Sequence, residues 1–342
     1  MSRPIARLPV LLALTTCLLV AVVGCSSNST STGANGAPNV TIGKAIDTIG
    51  FSTADVASAE GYFTDAKVNV KTQLFEGSTP TNAALQGGGI QFAMVSSTSF
   101  LLAASQGVPL LAVASLDTGD SEQLVVSNKW IADHNLSPTQ PLVQRMQGLK
   151  GAKLAAISVG AQTYMKELLS AGGAPTDSVG SVTLGTSGAA AAALQHGTLQ
   201  LFISSPPVSY FVAKQTNATV FATTADIPKI SGQAYDLLVT TPSFAKKNPA
   251  TVAAVATAIS RAEDLMRSQP NEALPTISKH FTQYDSQTLL QSIQNVSWST
   301  GGKFTPQMWQ LALANMKAGG SLKGDVDLTE GKVWTNQYVT QG

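Results

Sequence analysis

The side chains best placed to do chemistry in this chain are short hydroxyls that follow apolar runs. Ser96, Ser97 and Thr98 come directly after Phe92 to Val95, and Ser204 and Ser205 come after Leu201 to Ile203. Phe51, Ser52 and Thr53, then Ser158, Gly160, Gln162 and Thr163, then Thr186, stand beyond other apolar runs in the same way. Such a set holds a molecule rather than converting it. Hydroxyls and the open N–H groups of helix starts donate hydrogen bonds, and the positive end of a helix favours an anion. None of these positions is Lys or Arg, so no charge-assisted clamp is on offer. Asp117 opens the opposite option, a carboxylate that accepts from an ammonium or a ring N–H, or else caps a helix. Phe51, Tyr164 and Tyr210 could stack on a planar ligand or fill the core. The candidate binding set is therefore Phe51, Ser52, Thr53, Ser96, Ser97, Asp117, Ser158, Gly160, Gln162, Thr163, Thr186 and Ser205. Its ligand class stays open among sulfonates, other small acids and heteroaromatic compounds.

Covalent and metal chemistry find little support. The sequence has no Gly-x-Ser-x-Gly, His-Glu-x-x-His or Gly-x-x-x-x-Gly-Lys motif. Its histidines, His134, His196 and His280, fall in a polar stretch, before a turn glycine and in a late helix, where surface or capping roles suffice. Cys17 and Cys25 are the only thiols, and both lie near the N-terminus, which leaves the folded part without disulfide, zinc ribbon or thiol nucleophile. No cofactor or metal is implied.

The elements that must position these residues come in two copies. Ala84-Leu-Gln-Gly-Gly-Gly-Ile-Gln-Phe-Ala-Met-Val-Ser-Ser97 and Ala193-Leu-Gln-His-Gly-Thr-Leu-Gln-Leu-Phe-Ile-Ser-Ser-Pro206 align without a gap, matching Leu85 with Leu194, Gly88 with Gly197, Gln91 with Gln200 and Ser96 with Ser205. Each reads as a helix end, a glycine turn, a buried parallel strand and a polar cap. Around each copy strands and helices alternate, the pattern of a parallel sheet. Extra apolar runs at Gln123–Val126 and Tyr235–Thr240 follow each set, where the chain would cross between lobes. Beyond Pro242 helices take over, with Ala250–Arg267, Ser286–Val296 and Pro306–Ala318 as candidates, Thr305 capping the last, and prolines 270 and 275 as punctuation. Pro206 suits the first position of a helix.

At 342 residues the chain can hold two ordinary domains, and with 21 basic against 20 acidic residues it carries no electrostatic footprint for nucleic acid. Arg3 and Arg7, an apolar stretch to Val23 and Gly24-Cys25 read as an export signal over 1–24, with small residues ahead of Cys25 like a bacterial lipobox. Cleavage before Cys25 and lipidation of its sulfur are expected, followed by a polar tether over 25–38.

These features resemble the solute-binding proteins of ABC importers, in the branch associated with nitrate, sulfonate, taurine and thiamine-precursor uptake. The markers are Ala57-Ser-Ala-Glu-Gly-Tyr-Phe63, Leu85-Gln-Gly-Gly88 with Ser96-Ser-Thr98, Leu149-Lys-Gly-Ala-Lys-Leu154, Ala193-Leu-Gln-His-Gly197 and Asn248-Pro249. The resemblance implies an α/β fold of the two-lobed periplasmic-binding-protein type (type II). Residues 39–124 and 239–342 would form the first lobe and 125–238 the second, with two hinge crossovers and the C-terminal helices on the first. It also implies a membrane permease and its ATPase as partners, and a monomeric receptor lipid-anchored outside the bacterial cytoplasm. Gln91 and Gln200 depart from the family, which usually has Asp there, so any interaction made by that Asp is replaced or lost. Two other readings stay open. One is an enzyme like the related pyrimidine-precursor synthases, whose active-site His and cofactor Lys have no identifiable counterpart in this sequence; the other is a sensory module for a membrane kinase. For the anchor, Cys25→Ala should abolish partitioning into the detergent phase, and unchanged partitioning would reject the lipobox.

Overall fold

A computed structural model describes residues 31–339 except positions 76, 120, 157–158, 185, 228, 319–321 and 323. The export signal, Cys25, Ser158 and the start of the tether lie outside the described residues. Among the described residues, ten strands build two sheets. The first contains β1 (Asn39–Lys44), β2 (Asn69–Leu74), β3 (Phe92–Ser96) and β4 (Leu111–Ser115). The second contains β5 (Gln123–Ser127), β6 (Lys153–Ala156), β7 (Gly180–Thr183), β8 (Leu201–Ser204) and β9 (Ala218–Thr223). The last strand, β10 (Asp236–Thr240), returns to the first sheet.

Spatial order is β2-β1-β3-β10-β4 in one sheet and β7-β6-β8-β5-β9 in the other. The two orders are the same pattern: three parallel strands, a crossover strand running antiparallel, then a fourth strand. Both apolar runs read as crossovers are these antiparallel strands. The sheets are therefore mixed, because a strand arriving from the other half of the chain enters from the opposite end.

Alternation of side chains explains how the second sheet is buried on both faces. Leu124, Val126, Leu154, Ala156, Leu201 and Ile203 face one core, which the helix Val159–Ala171 covers with Tyr164, Met165, Leu168 and Leu169. Val125, Ala155 and Phe202 face the other, beneath helices Ser187–Gln195 and Val208–Gln215. In the first sheet a single larger core receives the helix Pro249–Ser268 and the C-terminal helices. Trp309 of the helix Pro306–Ala318 is fully buried against Phe100, Phe304 and Trp334, with ring centroids 5.1–6.3 Å apart.

The paired glutamines have the same job in each half. Gln91 Oε1 accepts from the Thr41 N–H at 2.9 Å while its Nε2 donates to the Gly88 carbonyl. Gln200 Oε1 accepts from the Lys153 N–H at 3.0 Å while its Nε2 donates to the Gly197 carbonyl. Each amide ties the glycine turn to the entry of the neighbouring strand, which a carboxylate could do only as an acceptor. Gly88 and Gly197 adopt φ of 75° and 71°, so the turn itself requires glycine.

Several local expectations are corrected. The helix after Pro206 begins at Val208, with Pro207 at the N-cap position and no side-chain cap. Pro275 does not stop a helix; Pro270–His280 runs through it, losing one backbone bond but burying Ala273, Thr276 and Ile277. Two short helices, Asn128–Asp133 and Leu142–Gln147, occupy the polar stretch around His134. Trp334 and Tyr338, spaced like a helical turn, lie in an irregular tail in which Thr335 N–H donates to the Ala112 carbonyl and Ala112 N–H to that of Val333, covering the β4 edge. Gln91→Ala and Gln200→Ala should each cost about 1 kcal/mol. Urea unfolding should show the larger loss for Gln91, whose bond to Thr41 is part-buried where that of Gln200 is exposed.

Candidate functional site

A cavity of about 170 Å³ opens between the two sheets. From the first half it is walled by the loop Ala45–Phe51 after β1, by Ser96 at the end of β3, and by Asp117, Tyr235 and Asp236. From the second half come Ser205 and Pro206, just beyond β8, and Val296 and Ser78 close the rim. The repeated serines thus meet at one cavity from opposite sheets. An engineered protein cavity of roughly 150 Å³ is enough to take up benzene, so the space suits a compact solute.

Ser96 is the N-cap of the helix Ser97–Ser105. Its Oγ accepts from the Ser99 N–H at 3.4 Å and donates to Ser99 Oγ at 3.2 Å. Across the sheet from it stands Asp236, the first residue of β10. Asp117 follows β4, and its Oδ1 accepts from the Asp236 N–H at 2.9 Å. Both carboxylates are buried, Asp117 3% and Asp236 8% exposed. Gly50 lets them converge: a Cβ there would meet Asp236 Oδ2 at 2.6 Å and Asp117 Oδ2 at 3.0 Å. Asp236 escaped the sequence reading because it was counted as part of an apolar strand. A carboxylate opening an otherwise buried strand was the available signal.

The other candidates divide. Phe51 lines the cavity with Ile46 and Ile49. Ser52 and Thr53 do not line it, nor do they cap the next helix. Their hydroxyls donate to the Thr48 and Gly50 carbonyls within a buried 3-10 turn at Gly50–Ser52. Ser97 is buried behind Ser96, its N–H bonded to the Tyr235 carbonyl at 2.6 Å. Gly160, Gln162 and Thr163 belong to the helix Val159–Ala171 and not to a loop ahead of it. The helix begins early because Ala161, Tyr164, Met165 and Leu168 already share its buried face. Gln162 accordingly donates to Thr183 Oγ1, and Thr163 lines a different cavity with Lys166 and Asn315. Thr186 caps the helix Ser187–Gln195, accepting from the Ala189 N–H, and is exposed.

Nearby charges are already committed. Burial works against the charge of Lys44, yet Asp55 at 2.8 Å and Asp47 at 2.9 Å hold its ammonium above the ordinary lysine value. Glu263, wholly buried in the helix behind the cleft, is pushed well above the usual glutamate range by burial, reinforced by the Asp117 charge. The two halves also touch beyond the cleft. Lys214 Nζ meets Asp285 Oδ2 at 2.9 Å, and the Phe211 and Tyr284 rings pack edge-on at 5.2 Å. His134 stacks on Trp130, His196 ends a helix and His280 lies 3.9 Å from Asp55. Among the described residues no group of three or more His, Cys, Asp or Glu could hold a metal ion, and no helix is long and apolar enough to cross a membrane.

Two such sheets, exchanging crossover strands around a central cleft, define the two-lobed fold of periplasmic binding proteins. Residues 50–273 match the NMT1/THI5-like family, and the chain belongs to that family. The periplasmic aliphatic sulphonate-binding protein SsuA of Escherichia coli has the same fold, with TM-score 0.67, 18% identity and coverage of 89% of this chain and 92% of that one. So has the periplasmic nitrate-binding protein NrtA of Synechocystis PCC 6803, with TM-score 0.65, 14% identity and coverage of 86% and 85%. The ligand-binding component of an ABC-type import system from Staphylococcus aureus, solved with zinc bound, gives 0.68, 13%, 88% and 97%. No curated protein matches the chain in sequence.

Because the fold favours protonated Glu263, its contribution to stability is complete below the ordinary glutamate pKa and is lost as pH rises through the raised value. Glu263→Gln stays neutral throughout. Between pH 5 and pH 8 the urea midpoint of the parent should therefore fall by more than that of the variant.

Proposed function

We propose that this chain is the extracytoplasmic solute-binding component of an ABC importer. It closes two lobes, one built on each sheet, around one small organic molecule and delivers it to a permease and its ATPase. Export and a lipid on Cys25 would hold the monomeric receptor at the membrane face. The observation that carries the proposal is the cavity shared by Ser96 and Ser205, equivalent residues of the two copies facing each other from different sheets. Family membership and the roles of the structural neighbours support it: sulphonate binding, nitrate binding and ligand binding for import. A solute touching both walls favours the closed arrangement over the open one, and that differential affinity is what a permease can read.

The test begins with the solute that copurifies, identified by mass spectrometry and titrated back by calorimetry with scattering to follow compaction. Ser96→Ala and Ser205→Ala should each weaken its binding about five- to tenfold, the effect of one lost hydrogen bond. Ser96→Ala should also lose about 1 kcal/mol of stability as a helix cap, a loss Ser205→Ala does not share. Unaltered affinity in both variants, or binding without compaction, would reject the proposal.

A further inference from the structure

The cavity that Thr163 lines is the larger of the two, about 380 Å³ against about 170 Å³ for the cleft, and the two share no lining residue. One wall is the outward face of the helix Val159–Ala171, where Lys166 and Ala171 are exposed because the opposite face is packed in the core of the second half. The floor lies between β9 and β10. There Ile227 and Ile230 are buried in the same core, and Lys229 is exposed. The far wall is Asn315 of the helix Pro306–Ala318, which packs on the first half. Asn315 Nδ2 donates to the Lys229 carbonyl at 2.9 Å and to Gln233 Oε1 at 2.8 Å, so the returning chain is pinned to this helix where Lys229 branches from it. The cavity therefore straddles the two halves.

The chemistry of its walls selects an occupant. Two lysines and one glutamate, Glu167, line the space, which leaves it net positive. Among the described residues neither ammonium is in an ion pair, whereas Glu167 already has a partner. An anionic group between the lysines would form charge-assisted hydrogen bonds with both. The isoleucines and the lysine stems offer apolar surface to a carbon frame, and the volume is in the range usual for small-molecule sites. We propose that this cavity is a second binding site, which takes a small organic anion with its charged group between Lys166 and Lys229 and its carbon frame on Ile227 and Ile230. The proposal goes beyond solute capture in the cleft. Because the walls belong to both halves, an occupant bears on their mutual angle and so on affinity in the cleft, and linkage makes the reverse effect equally large. The occupant is thus an effector of the cleft.

The probes are 2-naphthoate and its neutral amide, titrated calorimetrically into the protein. Naphthoate should bind, and the amide should bind about tenfold more weakly for want of the charge. Lys166→Gln and Lys229→Gln should each weaken naphthoate about three- to fivefold, an effect that shrinks in high salt because the ammonium groups are exposed. Ala171→Trp, which fills the space from an exposed helix end, should abolish binding. All three positions are exposed, so the urea midpoint should stay at the parent value. Ser96→Ala and Ser205→Ala should leave naphthoate affinity unchanged, which separates this site from the cleft. Naphthoate held equally well by the lysine and tryptophan variants, or weakened by the serine changes instead, would overturn the proposal, as would no binding at all. Saturating naphthoate should also change the affinity of the copurified solute, and that solute should change naphthoate affinity by the same factor; no mutual change would overturn the effector role. The importer reading is judged separately, by the serine variants and the solute alone.

Discussion

Everything in this molecule depends on two antiparallel strands that sit where their own half of the chain did not put them. β10 reaches its place between β3 and β4 only after the whole second sheet has been threaded, and β5 fills the matching slot between β8 and β9. The first sheet is incomplete until the chain has crossed and returned, and the second takes its inner antiparallel strand from the first segment after the crossing. A one-residue slip in either strand would exchange its buried faces, and all five residues of each are buried, so register is strongly fixed. The cleft is a by-product of this closure. Its floor is the pair of crossings, and its walls are the strand ends on either side.

Much of this was legible because the same rule was written twice. The gapless match from Ala84 and from Ala193 carried the glycine turns, the strands and the serines together, and the antiparallel runs stood out as apolar stretches left over after each set. The glutamines that differ from the usual family residue were readable as different but not as equivalent. Their common role depends on two backbone groups, Thr41 and Lys153, about 50 positions away in sequence.

What was not legible is equally specific. The convergence of Asp117 and Asp236 joins residues 119 apart, and its visible trace in sequence is a glycine at position 50 whose missing Cβ makes room. Ser52 and Thr53 looked like ligand hydroxyls because they follow a strand, but a tight 3-10 turn bends them back onto their own carbonyls. A helix that already begins at Val159 carries Gln162 and Thr163 away from the strand end they were expected to mark. In each case local composition was read correctly and a local backbone geometry decided where the side chain went.

The contact between Lys214 and Asp285, with Phe211 on Tyr284, has a consequence for how tightly any solute can be held. It joins the halves without touching the cleft, so it acts on the resting equilibrium between arrangements. Apparent affinity scales with the fraction of empty receptors already in the competent arrangement. The ion pair is well exposed and worth well under 1 kcal/mol in ordinary salt, while the ring pair adds a contribution that salt does not screen. On the solute-binding reading, selection and affinity are then set at two separable places: the cleft decides which solute fits, and this contact sets how often the empty protein already stands in the competent arrangement.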